Sequence, residues 1–210
     1  GGVNVASAEY LQELQRLARE RGALFIIDDI QAGCGRTGSY FSFEGMGLDP
    51  DIITLAKGIG GFGTPMAMNL NKPEIDRHWK PGQHTGTFRG QDLSFVAGRE
   101  ALRFFTDDTF LAGVRGKGAS MRAHLEALAA RHPGFGVRGA GMMQALDVVD
   151  GALSKRIARA CFDRGLLVGP CGTDGRVLKL IPPLVIDETD LAAGLELFTD
   201  ALEAVCAEGA

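Results

Sequence analysis

Two short apolar runs constrain this chain more than any other feature: Ala23-Leu-Phe-Ile-Ile27 and Ile52-Ile-Thr-Leu-Ala56. Neither alternates polar with apolar residues, and each stops at charge, the first at Asp28-Asp29 and the second at Lys57. A short unalternated run is the signature of a strand buried on both faces of a parallel sheet. Before the first run, Tyr10, Leu11, Leu14, Leu17 and Ala18 recur at helical spacing, with Ser7 placed to cap the helix and Gly22 to stop it. Helix followed directly by buried strand is half of an α/β crossover unit, so the first half of the chain is expected to be α/β.

Further elements follow from the same reasoning. A strand is expected over residues 65–70, a loop over 79–91, a helix over 92–105 and a long helix over 109–132 ending before Pro133. Beyond Gly136 the pattern predicts a small α+β unit. It has a strand over 142–149, a helix over 152–164 stopped by Gly165, short strands over 166–169 and 177–181, and a final helix to about Cys206 capped by Asp187. The expected organisation is a partial large parallel-sheet domain over 1–108, then a connecting helix and small C-terminal domain over 109–210.

Composition excludes several classes. With 22 basic and 26 acidic residues the net charge is −4, which suits neither a nucleic-acid partner nor an anionic membrane surface. No apolar run approaches the roughly 18 residues a membrane helix needs. Cys34, Cys161, Cys171 and Cys206 are dispersed, and the four histidines show no metal-ligand spacing, so reduced thiols, a cytoplasmic location and no metal are expected. The chain opens on Gly-Gly-Val-Asn without Met, from which an N-terminal truncation is expected. Glycine is in excess, 30 of 210 residues, which implies tight turns or close approach of backbone to a ligand.

The chemistry concentrates where the apolar runs end. In open α/β sheets ligands bind outside the carboxyl ends of the strands, which is where Asp28 and Lys57 fall. Around them stand Asp28-Asp-Ile-Gln31, Gly33-Cys-Gly-Arg-Thr-Gly38 and Pro50-Asp-Ile-Ile-Thr-Leu-Ala-Lys57-Gly-Ile-Gly-Gly61, with His84-Thr-Gly-Thr87-Phe-Arg-Gly90 and Ile181-Pro-Pro-Leu184 further on. In this order these five motifs resemble the class III aminotransferases that depend on pyridoxal 5'-phosphate (PLP). Within that family the pattern is most similar to the diaminobutyrate–2-oxoglutarate aminotransferases of ectoine biosynthesis.

The resemblance implies roles. Lys57 would hold PLP covalently through its ε-amine and then move the substrate proton, a task for which a site can lower an amine's pKa by desolvation. Asp28 would pair with the pyridinium nitrogen, Gln31 would bond the phenolic oxygen, and Thr87 with the backbone of Gly86 would contact the phosphate of a neighbouring subunit. A homodimer or larger homo-oligomer with its site at the interface is therefore implied, acting on a small amino donor and a 2-oxo acid acceptor. Lys179 stands three residues before Pro182, where relatives that bind 2-oxoglutarate commonly carry arginine. It is a candidate substrate contact, although lysine lacks the guanidinium fork. Other readings on the same fold are a 4-aminobutyrate, ornithine or acetylornithine transaminase, or an aminomutase or racemase.

Family members are about twice this length, so the chain alone is expected to have little or no activity. The string Gly58-Ile-Gly60-Gly-Phe-Gly63 has the letters of a dinucleotide fingerprint but runs into an apolar strand instead of opening a helix, and is read as a turn.

Overall fold

The computed structural model describes residues 1–87 and 89–208. It divides into two compact units, Ala6–Leu111 and Gly1–Val5 with Ala112 onward.

In the first unit, helix α1 (Ala8–Glu20) begins where Ser7 accepts the Tyr10 N–H at 3.2 Å and ends as Gly22 turns at φ +63°. Side chains tie it to the 46–49 segment: Gln12 donates to the Met46 carbonyl, and the buried Gln15 accepts the Asp49 N–H at 2.6 Å. Strands β1 (Ile26–Asp28), β2 (Ile52–Ala56) and β3 (Ala67–Asn71) form a sheet in that order. β1 and β2 are parallel, with Ile26 opposite Ile52 and Asp28 opposite Thr54, and β3 returns antiparallel. A single turn, α2 (Pro73–Asp76), and helix α3 (Asp92–Ala101) follow.

Two expectations change here. The first strand runs from Ile26, not Ala23, and it is not buried on both faces: Ile26 is 53 % exposed. It is an edge strand of the described sheet, whereas the more central β2 carries the buried Leu55. The apolar face of α1 is likewise open at Tyr10 and Leu14.

The second unit holds most of the core. Helix α4 (Thr109–Ala129) begins just before the unit boundary. After it come β4 (Gly136–Ala140), β5 (Met143–Asp147), α5 (Gly151–Asp163), β6 (Gly169–Cys171), β7 (Val177–Leu180) and α6 (Glu188–Ala207). The strands form an antiparallel sheet in the order β4-β5-β7-β6. Leu125 and Leu128 of α4, Leu146 of β5, Ile157 and Cys161 of α5, Leu178 of β7 and Phe198 and Leu202 of α6 form one buried cluster. Both later helices start on aspartate caps: Asp150 accepts from Ala152 and Leu153, and Asp187 from Asp190 at 2.7 Å.

Strand β6 lies three residues later than the pattern predicts and contains Pro170, which is tolerated because β6 is an edge of its sheet. Strand β4 was not expected at all. Its sequence, Gly-Val-Arg-Gly-Ala, has glycine where a strand signal would need β-branched residues. Arg138 on β4 pairs with Asp147 and also donates to the Gly2 carbonyl and to Asn4 Oδ1, which holds Gly1–Val5 in this unit.

Candidate functional site

The parallel register of β1 and β2 sets the geometry. Asp28, the last residue of β1, lies opposite Thr54, and Lys57 comes directly after the end of β2 at Ala56. At about 3.3 Å per residue the end of β2 at Ala56 stands roughly 7 Å beyond the acid, and the lysine follows it. Both are exposed at the same carboxyl edge of the sheet. Asp28 Oδ1 accepts the Ile30 N–H at 3.0 Å, a local bond that turns the chain away from the sheet.

Lys57 departs from the strand abruptly. It adopts φ +52°, a left-handed conformation that costs a branched or long side chain energy, and opens a 3-10 turn, Lys57–Gly60. The turn is packed from two sides. A β-carbon on Gly58 would stand 3.1 Å from Cys34 Cβ, so the glycine-rich loop after β1 seats directly under it. A β-carbon on Gly98 would stand 2.8 Å from the Ile59 carbonyl, so α3 seats against the other side. Ile59, Leu55 and Cys34 form a small buried cluster flanked by Tyr40, Phe41, Ile53 and Met66.

Among the described residues, non-glycine left-handed conformations occur at five positions, and three of them, Cys34, Lys57 and His84, lie in the segments singled out from the sequence. Strain of this kind persists where the surroundings over-determine it.

The loop between Asp29 and Ser42 has unusual electrostatics. Burial pushes the Asp29 carboxyl above the usual aspartate range, with the Ser42 side chain and then its N–H opposing the shift. Burial also raises the Cys34 thiol and drives the Tyr40 phenol up to about 12, while these two side chains hydrogen-bond each other. Burial lowers the Arg36 guanidinium. Gln31 is exposed at the start of this loop.

The remaining candidates lie elsewhere. Gly86 and Thr87 are exposed on the segment after α2, whose hydrogen bonds are local, such as Arg89 N–H to the Gly86 carbonyl at 3.2 Å. Phe88 of the same motif lies outside the described residues. Lys179 is half-buried on β7 in the other compact unit, paired with Ala145 and Gly169. The structure thus puts Asp28 and Lys57 at one sheet edge, with Gln31, Gly86 and Thr87 in the same unit and Lys179 in the other. The supporting parts of that site, Cys34 beneath Gly58 and Gly98 within α3, were not singled out from the sequence. A glycine in the interior of an otherwise helical stretch was the available signal for Gly98. Among the described residues no group of three or more His, Cys, Asp or Glu could hold a metal, and no helix is long and apolar enough to cross a membrane.

Comparison with known proteins places these features in a family. The family model described as "Aminotransferase class-III" matches residues 1–202. The chain is 44% identical over 207 residues to a diaminobutyrate–2-oxoglutarate transaminase of Nocardia farcinica, covering 98% of this chain and 47% of the relative. It is 49% identical over 201 residues to the protein of the same name from Bordetella parapertussis, covering 94% of this chain and 46% of that one. The chain therefore spans about half the length of the curated relatives it matches.

Among solved structures, the ornithine aminotransferase of Toxoplasma gondii superimposes with a TM-score of 0.89 at 30% identity, covering 99% of this chain and 49% of that one. The N-acetylornithine aminotransferase of Stenotrophomonas maltophilia does so with a TM-score of 0.85 at 30% identity, covering 99% of this chain and 54% of that one. The α/β fold is that of these aminotransferases, and the chain belongs to the class III aminotransferase family.

Proposed function

We propose that the full-length protein is a PLP-dependent aminotransferase that moves an amino group between L-2,4-diaminobutyrate and 2-oxoglutarate, giving aspartate semialdehyde and glutamate, or the reverse. The observation that carries the chemistry is the acid and the lysine at the carboxyl ends of adjacent parallel strands, Asp28 and Lys57. The names printed for the Nocardia and Bordetella relatives support the substrate pair.

The residues present fit the cofactor. A carboxylate and an amine exposed at one strand edge form the donor set that a cationic ring nitrogen and an aldehyde require. When bound, PLP supplies an electron sink for the carbon that loses its proton.

This chain's residues do the rest. Lys57 would hold the group covalently through Nζ, the same amine that would move the substrate proton. Asp28 would pair with the ring nitrogen and favour its protonated form by opposite charge. Gln31, the residue after Ile30, would bond the ring hydroxyl, and the exposed Gly86–Thr87 backbone and hydroxyl would take the phosphate of a second copy in a homodimer. Lys179 attracts a substrate carboxylate as a point charge. The dispersed free cysteines fit a cytosolic, reducing setting.

Borohydride reduction of the full-length protein with PLP, followed by peptide mapping, tests the assignment. A label on Lys57 is expected, and a label on another lysine refutes it. For the substrate, transamination of diaminobutyrate with 2-oxoglutarate is compared with that of 4-aminobutyrate, ornithine and acetylornithine. A faster rate with any of these three overturns the diaminobutyrate reading and leaves the labelling result intact.

A further inference from the structure

The acid beside Asp28 has no part in the roles assigned above, yet Asp29 is the most constrained polar residue of the first unit. It is 0% exposed. Its N–H extends the β1–β2 ladder to the Thr54 carbonyl at 3.0 Å, and its own carbonyl accepts the Gly33 N–H at 3.0 Å. Its Oδ2 accepts the Ser42 N–H, also at 3.0 Å, from the far end of the loop. One residue thus ties together the sheet, the departure of the loop and its return.

Gly33 is fitted against this tie, since a β-carbon there would lie 2.5 Å from Asp29 Oδ2 and 2.8 Å from its carbonyl oxygen. Between the ties the loop carries Gln31 and the left-handed Cys34, whose side chain supports Gly58 next to Lys57. The other carboxyl oxygen, Oδ1, is buried without a hydrogen-bond partner. The neighbouring carboxylates Asp28 and Glu44 disfavour the charged form of Asp29 further. An unpaired anionic oxygen in such surroundings is costly, and a neutral carboxyl is not.

We propose that Asp29 is a positioning residue that acts through the loop 30–42 to hold Gln31 and the Lys57 turn in place, and that it works as a neutral hydrogen-bond acceptor. The inference rests on the aminotransferase reading and adds to it a residue that touches neither cofactor nor substrate.

The test uses the full-length protein with Asp29→Asn and Asp29→Ala. Asparagine keeps the shape, an acceptor for the Ser42 N–H and the neutral state, whereas alanine strands that N–H. PLP affinity is read by titration, and the pH dependence of the visible absorbance of the Lys57-bound cofactor is read separately from activity. Asp29→Asn is expected to match wild type in both. Asp29→Ala is expected to weaken PLP binding about tenfold, the scale of one unmade buried hydrogen bond, and to move the absorbance titration.

If Asp29→Ala does not fold, Gly33→Ala takes its place, because its β-carbon occupies the space of Oδ2; the same loss is expected. An Asn variant as damaged as the Ala variant means that charge is required and overturns the proposal. An Ala variant that melts lower but binds PLP with unchanged affinity and absorbance reduces Asp29 to fold support, and also overturns it. A wild-type protein that takes no label on Lys57 overturns the aminotransferase reading and this inference together, so the two failures are distinguishable.

Discussion

Gly98 is the point at which α3 touches the turn that carries Lys57, and replacing it with alanine probes that contact directly. The added β-carbon would stand 2.8 Å from the Ile59 carbonyl and 2.9 Å from Met66 Sδ, against the 3.4 Å at which ordinary contact begins. The methionine end can swing aside. The carbonyl belongs to the Lys57–Gly60 backbone, so the turn or the helix must yield by about half an ångström.

In helix propensity the substitution gains about 1 kcal/mol, while overpacking of this kind costs about 1–3 kcal/mol. A net loss of about 1 kcal/mol is therefore expected. Gly113, in α4 with nothing within 4 Å of its would-be β-carbon, provides the control, and Gly113→Ala should gain about 1 kcal/mol by propensity alone. In thermal unfolding of the full-length protein the two variants should fall on opposite sides of wild type. Transamination by Gly98→Ala should drop on the order of tenfold, because a sub-ångström displacement of a reacting group has that scale of effect. If Gly98→Ala melts at or above wild type and keeps full activity, the close packing of α3 on the lysine turn is refuted.

Leu146, fully buried in the C-terminal cluster beside Leu178 and Phe198, should lose about 2–5 kcal/mol on substitution by alanine, read as a shift in the urea midpoint of that unit. A loss below about 1 kcal/mol would contradict the packed core assigned there. Because burial raises the Asp29 pKa in the folded state, the folded form holds its proton more tightly than the unfolded form. That contribution is complete below the ordinary aspartate pKa and is lost as pH rises through the raised value. The stability difference between wild type and Asp29→Asn should accordingly change in favour of Asn as pH rises through that window, and a flat difference would count against a raised Asp29.

Much of the C-terminal unit was legible from the chain because its signals are local. Asp187 with Asp190, the break at Gly165, and the helical periodicity of α4, α5 and α6 each depend on residues within a turn or two. Strand β4 was not legible, since its stability comes from pairing with β5 and not from its own glycine-rich residues. Burial of β1 was misjudged for a related reason: an apolar run records what a strand tolerates, while its exposure depends on which elements cover it.

The candidate site divides along the same line. Asp28 and Lys57 stand out in the chain because each is a charged group at the end of an apolar run, whereas Gln31 is marked only by the resemblance to the family. That Asp28 and Lys57 share an edge required the parallel register of β1 with β2. That Lys57 is strained, that Cys34 and Gly98 brace its turn from two sides, and that Asp29 is sealed at the throat of the loop are facts of tertiary packing. Close approach between segments distant in sequence leaves no local trace in the chain except a glycine, and what that glycine makes room for is decided only when the fold brings its neighbour to it.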